Sequence, residues 1–244
     1  MNILITGATG GIGQEITGSL SKKHSIIALG RDKEKLKFLQ KKISKNKIKI
    51  YSVDVSNLAS VIKFFKEFKN SIDVLINCVG TQRPIGKFLD NDLREWKKNV
   101  EINLIGSVQM CFYSIPHLLK SKRGKIINFS GGGSAYPRAY HTAYSTSKAA
   151  VVRFTESLAQ EYPELDINCI SPGPHNTNIW KDEKYDEKPK KWGDVDRLKK
   201  FIDYLISSKS DGITGRFIHY KDNWEKFNPK KMSQDIYTLR RVEK

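Results

Sequence analysis

Short apolar runs alternate with amphipathic segments along almost the whole chain, and that alternation limits the possible folds more than any other feature. Residues 2–5, 25–29, 48–53, 72–76, 125–129, 166–170 and 216–219 read as strands. Between them, 12–22, 33–43, 58–68, 92–98, 102–119, 144–162 and 194–206 read as helices. The segment 58–68 shows the spacing plainly, with apolar residues at 58, 61, 62, 65 and 68 gathered on one helical face. Strands that are apolar throughout are covered on both sides, and regular strand–helix alternation implies a parallel sheet between two helical layers. The 244 residues suit one such domain. Its core is expected over 2–220, followed by an extension, 221–244. Trp224, Phe227 and Tyr237 imply that the extension packs on the pocket or on a subunit interface. The polar stretch 181–192 is expected to be the mobile loop.

Composition removes several classes. A 39% hydrophobic content supports a core and argues against disorder. The formal charge of +17 raises the question of nucleic acid, but scattered lysines supply most of it and no aromatic-interleaved basic motif is present. No specific nucleic-acid partner is therefore expected. No apolar run approaches the roughly 20 residues that span a bilayer, and the start, Met1 to Thr6, has no signal-peptide pattern. Cys78, Cys111 and Cys169 are odd in number and widely spaced. They read as buried thiols of a reducing, cytoplasmic setting, with no metal-ligand spacing.

Residues with chemical potential fall just after the strands, where open parallel sheets bind ligands. Gly7, Thr9, Gly10, Gly11, Ile12 and Gly13 join the first strand to the first helix. Glycines there allow a tight turn and let backbone N–H groups approach a pyrophosphate at the positive helix end. Arg31 follows the second strand in Leu29-Gly-Arg-Asp32. An arginine there suits a ribose 2′-phosphate, and Asp32 is placed to cap the next helix. Asp54 and Val55 follow the third strand, with Asp54 read either at the adenine edge or as a turn residue. Tyr144 and Lys148 lie four apart, on one face if helical. A lysine cation beside a phenol lowers its pKa and suits it to exchange protons with an alcohol or carbonyl oxygen.

Thr6-Gly7-x-x-x-Gly11-x-Gly13 together with Tyr144-x-x-x-Lys148 resembles the short-chain dehydrogenase/reductase family in its compact single-domain form. Asn77-Cys-Val-Gly80, Asn103 and the segment Asn168 to Thr177 resemble three further motifs of that family. The resemblance implies a Rossmann-like, doubly wound parallel sheet of about seven strands with helices on both faces. It implies that Tyr144 is the acid/base, that Lys148 binds the nicotinamide ribose and lowers the tyrosine pKa, and that Asn103 holds a relay water. The alternative for Asn103 is a buried amide bonded to the backbone. Asn77 and Gly80 would contact the cofactor, and Pro172, Gly173, His175 and Thr177 would border the nicotinamide. His175 stays open between a ligand contact and a packed imidazole.

Two departures stand out. Where the family has a serine donating to the substrate oxygen, this chain has Gly131. Ser130 is taken as the replacement, with Ser134 or a backbone N–H at Gly131 as alternatives. The C-terminal stretch also leaves the family pattern after Gly215. The implied function is an NAD(P)-dependent oxidoreductase, with NADP(H) preferred over NAD(H), acting on a small carbonyl or secondary alcohol. Arg83 and Arg138 hint at an anionic one. Alternatives are a dinucleotide-binding regulator or scaffold, motivated by Gly131, and an epimerase or dehydratase using the cofactor transiently. Helices 102–119 and 144–162 are apolar on more than one face, which points to a homodimer or homotetramer.

Overall fold

The computed structural model describes residues 1–43, 47–233 and 235–241. Seven parallel strands form one sheet: β1 (Asn2–Thr6), β2 (Ser25–Gly30), β3 (Ile48–Ser52), β4 (Val74–Asn77), β5 (Lys125–Phe129), β6 (Asp166–Ser171) and β7 (Phe217–His219), in the order β3-β2-β1-β4-β5-β6-β7. The long helices are α1 (Gly11–Leu20), α2 (Lys33–Ile43), α3 (Leu58–Glu67), α4 (Leu93–Val100), α5 (Gly106–Leu118), α6 (Thr142–Glu161) and α7 (Val195–Ile206).

The strand sequences explain the two layers, because successive side chains leave a strand on opposite faces. Ile3, Ile5, Ile26, Ala28 and Ile76 pack against α1, α2 and α7 through Ile16, Leu36 and Phe201. Leu4, Ile27, Leu29 and Leu75 point the other way, onto Val61 and Phe64 of α3 and Met110 and Leu118 of α5. No described helix is long and apolar enough to cross a membrane.

Strand order reverses beside β1, between β1 and β4, and the cleft for a ligand opens at the carboxyl ends there. The register sets Thr6 beside Asn77, Asn77 beside Asn128 and Asn128 beside Cys169.

Two features differ from the pattern read in the sequence. Helices 92–98 and 102–119 are not separate bodies. A π-helical turn, Glu101–Ile105, joins α4 to α5. Nothing between 98 and 106 breaks the helix, and the wide turn absorbs one extra residue at Asn103. The described part of the C-terminal stretch lies against α7, β7 and α6 of its own chain rather than over the cleft. Trp224 packs on Phe201 and Tyr204 of α7 at 5.4 and 5.3 Å between ring centroids. Further on, Phe217 N donates to Tyr237 O at 2.6 Å. Leu239 N donates to Glu156 Oε1, and Arg153 Nη2 donates to Leu239 O, both also at 2.6 Å. These bonds fix the stretch along β7 and the outer face of α6.

Candidate active site

The glycine turn is built for close approach. Gly7 has φ +65°, which an L side chain rarely adopts. A Cβ on Gly13 would meet Gly7 O at 2.1 Å, so the start of α1 is drawn against the end of β1. α1 has no side-chain N-cap and no acid in its first turn, which leaves its positive end unneutralised toward the cleft. The cleft holds about 430 Å³ and runs from Thr9–Gly13 and Arg31 past Gly80 to Tyr144, Lys148 and Pro172. A side pocket of about 200 Å³ is lined by Leu29, Arg31, Asp54, Val55 and Ile102.

Asp32 and Arg31 separate cleanly. The Asp32 Oδ1 accepts from Glu34 N and Lys35 N at 3.0 Å each, capping α2, and these backbone bonds hold its carboxyl below the ordinary value. Arg31 is exposed at the cleft mouth, and its guanidinium has no ion-pair partner among the described residues. The Asp54 Oδ1 takes the Ser56 N–H at 3.0 Å and hydroxyl at 2.7 Å, so it also ties a turn while lining the side pocket. An uncapped helix end, a glycine cradle and an unpaired arginine fit a dinucleotide carrying anionic phosphates.

Asn77 does not face the cleft. It is buried, and its Nδ2 donates to Asn128 Oδ1 at 2.9 Å, while Asn128 Nδ2 donates to Thr155 Oγ1 at 3.0 Å. This amide cross-links β4, β5 and α6, and in that segment the cleft is lined by Cys78, Val79 and Gly80. Asn103 is likewise engaged with protein. Its Nδ2 donates to Thr81 O, Asn99 Oδ1 and Ser147 Oγ at 2.9, 2.8 and 3.0 Å, and its Oδ1 accepts Thr81 N at 2.9 Å. Its side chain is thus a buried amide bonded to protein.

Tyr144 and Lys148 both line the cleft. The phenol is only 7% exposed, and its hydroxyl makes no hydrogen bond to protein among the described residues. Burial pushes its pKa up to about 12, and the charge that opposes the rise is Arg138. Lys148 does not lower it in this state. The Lys148 Nζ donates to Phe129 O at 2.8 Å and lies 6.0 Å from the phenol ring centroid. Burial brings that ammonium down to about 8. Both serines beside Gly131 are engaged with backbone carbonyls. Ser130 Oγ donates to Lys148 O at 3.3 Å, and Ser134 Oγ donates to Gly131 O at 2.7 Å. A Cβ on Gly131 would meet the Tyr144 hydroxyl at 2.1 Å, so the tyrosine occupies the room a side chain at 131 would need.

Beyond Tyr144 lies a second cavity of about 380 Å³, walled by Gly131, Gly132, Arg138, Pro172, Gly173 and Trp180 among others. Thr177 crosses the glycine turn, so a Cβ on Gly11 would meet its methyl at 2.4 Å. His175 lines this second cavity with its ring packed and bonded. Its Nε2 is 2.8 Å from Pro172 O, its ring lies 5.6 Å from Tyr220, and burial lowers its pKa.

The loop 181–192 is pinned by contacts that local sequence did not reveal. Glu183, its side chain 1% exposed, lies 2.9 Å from both His141 Nε2 and Arg138 Nη2, and accepts from Gln82 Nε2. Burial alone would raise its pKa, but backbone N–H bonds and His141 hold it below the ordinary value. Arg138 also meets Asp186 at 2.6 Å, and Arg83 Nε donates to Asp182 at 2.7 Å. The two arginines that hinted at an anionic substrate are thus matched by acids of this loop. The sequence signal was the acidic run Asp182-Glu183-x-x-Asp186, whose partners are more than 40 residues away.

A parallel sheet that presents a glycine turn and a cleft-facing Tyr–Lys pair defines a dinucleotide-dependent oxidoreductase. A model of the short chain dehydrogenases matches residues 1–188, and the chain belongs to that family. It is 30% identical over 233 residues to a 3-oxoacyl-(acyl-carrier-protein) reductase of Aquifex aeolicus, covering 88% of this chain and 94% of the other. An uncharacterised oxidoreductase of Staphylococcus epidermidis is 28% identical over 193 residues, covering 77% and 83%. Among solved structures, a short chain dehydrogenase from Salmonella enterica superposes with a TM-score of 0.84 at 25% identity, covering 91% and 96%. A short chain dehydrogenase from Shigella flexneri, solved with NADP, gives 0.82 at 24% identity, covering 91% and 97%.

Proposed function

We propose that this chain is an NADP(H)-dependent reductase of a small carbonyl compound, with Tyr144 as the proton donor. One observation carries the reading: a buried phenol whose hydroxyl has no protein partner among the described residues lies where the dinucleotide cleft meets a second cavity. A phenol raised to about 12 is protonated at neutral pH, so it is ready to give a proton to a carbonyl oxygen. When bound, the nicotinamide supplies the hydride. Arg31 supports NADP(H) over NAD(H), since Asp32 is occupied as a cap and a free guanidinium suits a 2′-phosphate. The Shigella protein's bound NADP is consistent with that choice. Asp54 and Val55 would line the adenosine end, Lys148 would meet the ribose, and Pro172, Gly173 and Thr177 would border the nicotinamide.

The whole chain, 1–244, is read as one domain whose C-terminal stretch closes the outer face of β7. Ile105, Phe112 and Leu119, 42%, 69% and 46% exposed, recur every seven residues along α5 and the residues flanking its two ends and support self-association through that helix. The opposed face of α6 is already covered by residues near Leu239. Three free cysteines support a cytoplasmic setting. The test is Tyr144→Phe, assayed by NADPH oxidation with diacetyl, 4-nitrobenzaldehyde and ethyl acetoacetate. Turnover should fall by on the order of 10²- to 10⁴-fold while NADPH still binds. A variant that turns over at the wild-type rate refutes the role of Tyr144.

A further inference from the structure

The Gly131 departure leaves the carbonyl oxygen without its second donor, and three observations identify a substitute. The serines on either side are engaged with backbone carbonyls, and the space at residue 131 is filled by the Tyr144 hydroxyl. Arg138 is the only permanently charged cation lining the second cavity among the described residues. Its Nε and Nη2 are held by Asp186 and Glu183, whereas Nη1 has no protein partner among the described residues and lies 3.9 Å from where a Cβ on Gly132 would stand. Gly131 and Gly132 thus form a bare wall, with the phenol hydroxyl against one and a free guanidinium N–H near the other.

We infer that Arg138 Nη1 donates to the substrate oxygen beside Tyr144, in place of the hydroxyl that residue 131 cannot provide, and that Glu183 and Asp186 aim it there. Arg138 transfers no proton. The proton comes from Tyr144, and the guanidinium stabilises negative charge as it develops on the oxygen. A guanidinium is a stronger, charge-assisted donor than a hydroxyl, and it also opposes the rise of the Tyr144 pKa. The two acids offset its net charge, so the cavity can favour a polarised carbonyl without requiring an anionic substrate.

This inference rests on the proposed reductase activity. The test is Arg138→Ala with the same three carbonyl compounds. Loss of one such donor typically costs about 10²- to 10³-fold in kcat, and NADPH affinity should stay unchanged. Millimolar guanidinium, but not the same concentration of ammonium, should restore part of the turnover, which a merely structural arginine would not show. Because Arg138→Ala leaves Glu183 buried beside a lost cation, the double variant Arg138→Ala/Glu183→Gln is measured alongside and should behave the same. A kcat near wild type in either variant overturns the inference, as does a loss that guanidinium does not relieve in both. A wild type that oxidises NADPH with none of the three compounds overturns the reductase reading, and this inference with it.

Discussion

Gly131→Ala tests most directly how Tyr144 is seated. The new Cβ would lie 2.1 Å from the tyrosine Oη, 2.9 Å from Cζ and 3.2 Å from Cε1. Carbon and oxygen in ordinary contact stay about 3.5 Å apart, so the hydroxyl must retreat by roughly 1.4 Å. The ring is buried, and the open direction is into the cleft. Misplacing a reacting group by about 1 Å can cost on the order of 10²-fold in rate. Overpacking costs about 1–3 kcal/mol, which for a chain of this size lowers Tm by about 2–12 °C. The cofactor cradle at Gly7–Gly13 is untouched, so NADPH affinity, read by fluorescence titration, should stay within about threefold, less than 1 kcal/mol. The assay pairs initial rates with a thermal melt. A variant with wild-type rate and wild-type Tm would show that the phenol does not lie against residue 131.

Three other outcomes follow from the same geometry. Arg31→Glu should move the ratio of kcat/KM for NADPH over NADH toward NADH by about 10- to 100-fold, from the loss of a charged hydrogen bond of about 1.5–3 kcal/mol; an unchanged ratio refutes the 2′-phosphate role. The Lys148 ammonium, lowered to about 8 by burial, is charged below that pH and neutral above it. NADP(H) affinity should therefore hold at neutral pH and decline above pH 8, and Lys148→Met should flatten the profile. Between about 8 and the ordinary 10.5 the unfolded chain binds more protons than the native one, so the residue's cost to stability shrinks as pH rises through that window. Phe112→Glu should convert an assembled species to monomer in light scattering, and assembly that survives the change would exclude the α5 stripe as the contact.

Local pattern made the scaffold legible. α2 runs over Lys33–Ile43 and β5 over Lys125–Phe129, the bounds their apolar spacing implies, because both are set by neighbours in sequence. The glycine turn was legible because backbone freedom is written directly in residue type. Roles that depend on distant partners were not. Asn77 sits in a motif that points to the cofactor, yet its amide faces Asn128 across the sheet. Lys148 is four residues from Tyr144, but its Nζ reaches the Phe129 carbonyl instead. Glu183 lies in the polar stretch expected to be mobile, yet His141 and Arg138 meet it from another segment. Lys125 opens β5, and local pattern gives no sign that its Nζ is enclosed by Asp166, Asp211 and Ser210 at 2.8–3.0 Å. A sequence names the groups available for pairing without saying which of them the fold brings together.

The bond from Phe217 N to Tyr237 O has a consequence for how this protein behaves in solution. β7 is three residues long and ends the sheet on one side. Its outward amide is a ready template on which a neighbouring molecule's chain can add a strand. Removing everything beyond Lys226 would leave the cleft residues and Trp224 in place but uncover that template, along with the apolar side of Phe217. Such a shortened form should precipitate on concentration sooner than the full chain, before any loss of cofactor binding.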